Sequence, residues 1–158
     1  MYHRRNQGYI EQQIEAIALV LAKVLGLEAD RDFPAAQVEI GKAFQNLSGL
    51  AVSTVLALPD SMASMSFRSG NQLDAGRALA AAMLLEEHAS IAMEQNRLGA
   101  ATAALHRALE LYAECILAEE TLRTLEYEAR ICGILSRLND EGLTESTRLR
   151  LNMPFSRD

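Results

Sequence analysis

The sequence predicts an all-α protein made of antiparallel helix hairpins, with about five to six helices in one right-handed stack or bundle. Ala and Leu are abundant, while aromatic residues make up only 5% of the 158 residues. This mixture favours helices over strands, because Ala and Leu lose little side-chain entropy in a helix. The chain contains just 3 Pro, which permits long helices. Apolar residues also recur at spacings of three and four, the period of one helical face.

Size and composition indicate a single domain. With 49% hydrophobic and 23% charged residues, the chain resembles an average globular domain and can bury a core without disulfides or metal. We expect a flexible N-terminus over residues 1–8 and one helical domain over residues 9–138. Within that domain residues 50–77 form an irregular middle segment, and residues 139–158 are expected to be a loosely packed tail.

The first helix is predicted to begin near Tyr9 and to end over Gly26 and the polar segment 28–32. Its second half, AIALVLAKVLGL, is apolar nearly all round and contains one charged residue, Lys23. A helix with no polar face is either surrounded by other helices or buried against a partner subunit. The residues of this helix that form a candidate dimer surface are Ile17, Leu21, Val24 and Leu25.

The second helix is predicted to begin at about Pro34, with Asp32 or Phe33 at its cap, because proline suits the first helical turn. It ends near Ser48 and Gly49. The apolar positions between these ends keep the helical spacing, so this segment predicts one amphipathic helix.

The middle segment has a weaker pattern. Residues 50–58 fit a short helix, and Pro59 marks a break after it. Met62, Met65 and Phe67 are expected to pack from a further turn, and residues 69–72 are predicted to form a loop.

The second half of the chain carries the strongest helical signal. Helices are predicted at residues 74–95, 99–119 and 121–138, with a tight turn at Asn96 and Arg97. The last helix is expected to end at residues 139–142, where Asn, Asp and Gly follow one another closely.

Two of these helices begin with the same pattern. Phe33, Ala36, Ile40, Ala43 and Phe44 correspond, at a constant offset, to Leu98, Ala101, Leu105, Ala108 and Leu109. The small residues allow a second helix to approach closely, and the large residues between them fill the seam. The repeat therefore predicts that each of these helices packs closely against a neighbouring helix.

This spacing is similar to the second helix of a tetratricopeptide (TPR) motif. The preceding helix also fits, because Leu85, Ala89 and Ala92 stand where the family has its large, small and packing residues. Residues 84–111 therefore resemble one TPR unit, and residues 18–44 resemble a degenerate one. The family's tryptophan and terminal proline are missing, and residues 50–77 interrupt the array. Residues 8–138 as a whole resemble an uncharacterised bacterial family of small TPR-like proteins, which implies the fold but no activity.

The TPR resemblance implies a helical protein-protein interaction module whose groove is lined by the first helix of each unit. Here that groove would be formed by Met83, Glu86, Ser90, Met93 and Glu94. An acidic groove with methionines suits a basic or amphipathic segment of an unknown protein or peptide. The alternative is a self-associating, homodimeric structural protein, and a third hypothesis is a small-molecule or metal-binding sensor.

No motif in the sequence predicts catalysis. The chain lacks a GxSxG nucleophile elbow, a GxxxxGK[ST] phosphate loop and an HExxH metal motif. His106, Glu110 and Glu114 share one helical face, where a metal site is conceivable, but we interpret them as a solvated stripe of ordinary charged positions. We therefore expect no catalytic residue, no cofactor and no metal, and a protein that is not an enzyme.

Charge and cysteine usage limit the partners. The net charge of −6 and the pI near 5.1 argue against nucleic acid, which needs a basic surface. The apolar run of the first helix is too short to span a bilayer, so no membrane association is expected. Cys115 and Cys132 lack CxxC-type spacing and predict two reduced, buried thiols, with a disulfide between adjacent helices as the alternative. These features predict a cytoplasmic location.

Overall fold

The computed structural model describes residues 2–59 and 62–138. Over these residues the chain forms six α-helices and one small hairpin, so the all-α prediction is confirmed. The helices are α1 (Tyr2–Ala29), α2 (Phe33–Ser48), α3 (Val52–Ala57), α4 (Ala75–Glu94), α5 (Leu98–Ala118) and α6 (Leu125–Leu138). Short 3₁₀ turns lie at Ala63–Phe67 and Glu120–Leu122. The antiparallel strands β1 (Arg68–Ser69) and β2 (Gln72–Leu73) form the hairpin.

The central element is α4, which packs against α1 and α2 and most extensively against α5. Its first half is rich in alanine, and the small side chains of Ala78, Ala80, Ala81 and Ala82 are completely buried. Small side chains let neighbouring helices approach on several sides at once, which explains how one helix can be enclosed almost all round. The turn from α4 to α5 is the predicted one, with Asn96 at a positive φ of 56°.

Helix α1 begins at Tyr2, which corrects the prediction of a flexible stretch over residues 1–8. Contacts made near its start explain the longer helix. The Asn6 side chain donates a hydrogen bond to Glu119, and the Tyr9 hydroxyl donates one to Asp74 Oδ2 over 2.9 Å. The Tyr9 ring also lies so close to Gly76 that a Cβ there would be 3.0 Å from Tyr9 Cε1. Glycine at this position therefore allows α1 to lie against the start of α4.

The predicted limits of α2 are confirmed by its caps. The Asp32 carboxylate accepts a hydrogen bond from the Ala35 amide over 3.3 Å, and Pro34 occupies the first turn. Gly49 ends the helix in the left-handed conformation, with φ 75°, and donates its amide hydrogen to the Gln45 carbonyl. These ends hold α2 in a register that buries Ala36, Ile40 and Phe44.

The middle segment is more ordered than predicted. The short helix is confirmed as α3, but residues 69–72, predicted as a loop, form most of the β1–β2 hairpin. Phe67 is buried, whereas Met62 and Met65 are exposed, so the expectation that all three pack was wrong for the methionines. Residues 60 and 61, the predicted helix stop at 139–142 and the predicted tail at 139–158 lie outside the described residues.

Helix α6 packs against α5 through Ile131, Ile134 and Leu138, which are all buried. The two cysteines are not bonded to one another. Cys115 is buried on α5 as predicted, and its burial raises the pKa of the thiol. Cys132 is exposed on α6, which corrects the expectation that both thiols are buried.

Candidate functional site

The predicted partner groove on α4 is largely occupied by the chain's own last helix. Arg130 of α6 donates to Glu86 Oε1 over 3.4 Å, and Tyr112 of α5 donates its hydroxyl hydrogen to the same oxygen. Burial and the Glu86 carboxylate raise the pKa of Tyr112, so its hydroxyl stays protonated and remains a donor. This network fastens α6 to the hairpin of α4 and α5.

The other residues of that predicted groove are placed similarly. Arg137 of α6 donates to Ser90 Oγ over 3.4 Å and lies 3.2 Å from Met93 Sδ. Met83 is only 6% exposed, whereas Glu94 is exposed. Among the five predicted groove residues, Glu94 alone presents an exposed side chain, and we conclude that this face of α4 mainly binds α6.

The predicted dimer surface on α1 is divided between the core and the solvent. Ile17 and Val24 are buried in the chain's own core, Leu21 is half-buried, and Leu25 is 55% exposed. A residue buried in the same chain cannot contact a second copy, so Ile17 and Val24 are removed from the candidate surface. The outward face of α1 instead carries Leu19, which is 76% exposed.

The stripe of His106, Glu110 and Glu114 is not a solvated face, because both carboxylates are buried. Arg107 Nη1 lies 3.4 Å from Glu110 Oε2, and Arg68 Nη2 lies 2.9 Å from Glu114 Oε2. The second ion pair, together with a hydrogen bond from Arg107 to the Leu58 carbonyl, fastens the middle segment to α5. Within residues 2–59 and 62–138, no group of three or more His, Cys, Asp or Glu is arranged to hold a metal ion.

A groove of about 630 Å³ lies between α2, the start of α3 and the second half of α4, and we call it the α2–α4 groove. One wall is a helical stripe of α2, and the opposite wall comes from α4 and the turn that follows it. Its lining residues are Pro34, Gln37, Gly41, Gln45, Ala51, Val52, Ser53, His88, Gln95 and Arg97. A Cβ at Gly41 would meet no atom within 4 Å, so this glycine leaves open space between the walls.

Three polar side chains of this groove have buried atoms with no hydrogen-bond partner. They are both amide atoms of Gln37, Oε1 of Gln95 and Nδ1 of His88. Burying a polar atom without a partner costs about 1–3 kcal/mol, and such atoms are rare in folded proteins. They belong to residues that line one groove, and a ligand there would supply hydrogen bonds that the chain itself does not once these side chains turn toward it.

The α2–α4 groove is nearly uncharged. Burial, reinforced by the nearby guanidinium of Arg97, lowers the pKa of His88 to about 4, so the imidazole is neutral at pH 7. Arg97 is exposed and is the one charged residue of the lining. The groove therefore offers neutral donors and acceptors with a single cation among them.

A group of carboxylates lies where the end of α1 meets α4. Burial, a hydrogen bond with Glu87 and the charges of Glu87 and Glu94 raise the pKa of Glu28 to about 8. Glu28 therefore keeps its proton in the folded protein at neutral pH, and this proton allows two carboxyl groups to lie side by side.

The shift of Glu28 predicts how stability depends on pH. Between about pH 4.5 and pH 8 the folded chain holds a proton on Glu28 that the unfolded chain releases, so stability falls as pH rises through this window. Glu87→Gln removes the neighbouring charge and should flatten this fall. We expect the melting temperatures of the variant and the wild type to agree at about pH 5 and the variant to be higher above about pH 8. Parallel profiles, like those expected for the exposed control Glu120→Gln, would contradict this assignment.

The chain matches no protein-family model, and no curated protein or solved structure proved similar to it. The TPR-like family therefore stays a prediction. Over the parts of the chain that the structure describes, no helix is long and apolar enough to cross a membrane.

Proposed function

We propose that this protein is a non-catalytic helical interaction module whose α2–α4 groove receives a segment of a protein partner. The observation that supports the proposal is the set of four buried polar atoms on Gln37, His88 and Gln95 that have no partner within the chain. A concave groove in which polar groups converge is typical of ligand recognition.

The same groove is poorly suited to catalysis. A general base works best when its pKa lies near the operating pH, whereas the pKa of His88 is about 4. The lining contains no Asp, Glu or Cys, and its one serine, Ser53, makes no hydrogen bond with His88. His88 and the glutamines of the lining therefore stay neutral at pH 7, which favours binding over proton transfer.

The proposal is tested by selecting binders from a displayed library of random dodecapeptides on the wild-type protein. The test variant is Gly41→Leu, which places a side chain in the open space between the walls. We expect selected peptides to bind this variant at least tenfold more weakly, because the side chain excludes them from the groove. The matched control is Gly133→Leu, at an exposed glycine of α6 whose Cβ would also meet no atom within 4 Å.

Either of two results would overturn this function. No enrichment of any peptide would argue against a peptide-binding groove. Peptides that bind Gly41→Leu as tightly as Gly133→Leu would place the binding elsewhere on the surface. Isothermal titration calorimetry with the selected peptides distinguishes these results.

A second candidate function is self-association through the outward face of α1. Leu19 and Leu25 are 76% and 55% exposed, and the exposed residues Ala22 and Gly26 lie beside them on the helix. Small residues between two leucines permit a second copy of the helix to pack closely, and a two-fold axis would place the same face on both copies.

The double variant Leu19→Glu/Leu25→Glu tests this candidate. Across a two-fold interface the new carboxylates of both copies would face one another, so we expect dimerisation to weaken at least tenfold. The stability of the monomer should change little, because both positions are exposed. Sedimentation velocity gives the measurement, with Leu125→Glu on α6 as the control at another exposed leucine. A wild-type protein that remains monomeric at high concentration would rule out self-association.

A further inference from the structure

We propose that the occupant of the α2–α4 groove is an extended peptide, recognised through the amides of its backbone by Gln37 and Gln95. This inference rests on the proposed function and adds the chemistry of the ligand. The atoms that lack partners determine which ligand groups can satisfy them.

Gln37 sets the first requirement. Its side chain has an unpartnered acceptor, Oε1, and an unpartnered donor, Nε2, on the same carboxamide. A ligand carboxylate can only accept and a ligand ammonium can only donate, so neither satisfies both atoms. An amide carries a donor and an acceptor together, and Gln95 on the facing wall has an unpartnered acceptor for a second donor.

The backbone of an extended peptide meets this requirement. In an antiparallel pair the N–H and C=O of one residue point to the same side and exchange two hydrogen bonds with the residue opposite. Both amide atoms of Gln37 are buried as the side chain lies. The side chain therefore turns about its rotatable bonds when its carboxamide takes the place of that opposite residue.

The length of the groove agrees with a short extended segment. The stripe of α2 that forms one wall runs from Pro34 to Gln45, about 16 Å at 1.5 Å per helical residue. An extended chain rises about 3.3 Å per residue, so roughly five ligand residues fit along this wall.

The charge and composition of the lining favour a peptide over a nucleobase, which also carries donors and acceptors on one edge. Single-stranded nucleic acid is bound on aromatic side chains inside a positively charged groove. The lining of this groove has the ring of His88 but no Phe, Tyr or Trp, and the net charge of the protein is −6. A neutral backbone suits these walls better than a polyanion.

The test is an ester scan of the tightest peptide selected on the wild-type protein. Each backbone amide in turn is replaced by an ester, which removes one N–H donor and weakens the carbonyl acceptor. We expect one or two positions at which the ester lowers affinity roughly tenfold on the wild-type protein. At one of these positions the same ester should lower the affinity of the peptide for the Gln37→Leu variant by no more than about twofold. This variant lacks the carboxamide that hydrogen-bonds the backbone amide of the peptide.

Different results separate this inference from the function on which it depends. If no ester matters and replacement of an Asn or Gln side chain in the peptide by Ala abolishes binding, a side-chain carboxamide is the ligand group. Backbone recognition would then be wrong while the groove function stands. If the ester costs as much on Gln37→Leu as on the wild type, Gln37 does not read the backbone. If no peptide is selected at all, both the function and the ligand class are overturned.

Discussion

Phe44→Ala is expected to lower the free energy of unfolding by about 3–5 kcal/mol, a large part of the stability of a domain this size. Phe44 has no exposed surface and lies on α2, which packs against α1, α3 and α4. Its removal leaves a cavity in the core that these helices share, because close-packed neighbours relax only partly into the space. Urea denaturation followed by far-ultraviolet circular dichroism measures the loss.

The matched control is Phe33→Ala at the start of the same helix. Phe33 is only partly buried, and its ring packs beneath the guanidinium of Arg31 with 5.4 Å between them. Phe33→Ala should lower the free energy of unfolding by less than half as much as Phe44→Ala, because folding buries less of the apolar surface of Phe33. Equal losses for the two variants would mean that α2 is held mainly by its N-terminal end, and the central role assigned to Phe44 would be wrong.

The contrast between these two phenylalanines also shows how far the repeated sequence pattern predicts the core. Ile40 and Phe44 correspond to Leu105 and Leu109, and all four are completely buried. The first position of the pattern does not behave in this way, since Leu98 is 65% exposed. Periodicity identifies residues that share a helical face, but the first turn of a helix projects beyond its neighbours and is covered less.

Periodicity alone could not orient α1. Because the second half of this helix is apolar nearly all round, the sequence offers no polar face to indicate the solvent side. The inward face turned out to carry Ile17 and Val24, and the outward face carries Leu19. Which side faces inward is set by packing against both α2 and α4, and α4 lies far along the chain, so local sequence patterns do not contain this information.

The predicted groove on α4 and the observed α2–α4 groove show that sequence patterns also do not locate a binding site that forms only when helices pack. The rule that the first helix of a TPR-like unit lines the binding surface selected Glu86 and its neighbours, but α6 extends across that surface and supplies Arg130 and Arg137.

The α2–α4 groove lies where α2, α3 and α4 meet, and the irregular middle segment lies between α3 and α4. A polar Gln37 next to buried Ala36, and His88 next to buried Ala89, were the available signals. A polar residue beside core positions marks a place to examine, but the absence of a partner is visible only once the helices are packed.

The double variant Gln37→Leu/Gln95→Leu is expected to bind the selected peptides roughly a hundredfold more weakly and yet to be more stable than the wild type. The affinity should fall because two hydrogen-bonding side chains are lost, each contributing about tenfold. The stability should rise because leucine replaces buried polar atoms that have no partner in the folded chain, each of which costs about 1–3 kcal/mol. Calorimetric titration and thermal unfolding of the same samples measure the two effects.

The opposite signs of these effects distinguish a binding site from an ordinary part of the core. Gln45→Leu is the control for stability, since this residue lies on the same stripe of α2 but is exposed and has no buried unpartnered atom. It should not produce the gain expected of the double variant. If the double variant proves less stable than the wild type, ordered water already satisfies Gln37 and Gln95 in the folded chain, and these two residues do not mark a binding site. If the double variant is more stable and the peptides no longer bind, Gln37 and Gln95 lower the stability of the wild-type fold and serve to bind the partner. This is the result expected where residues are kept for recognition.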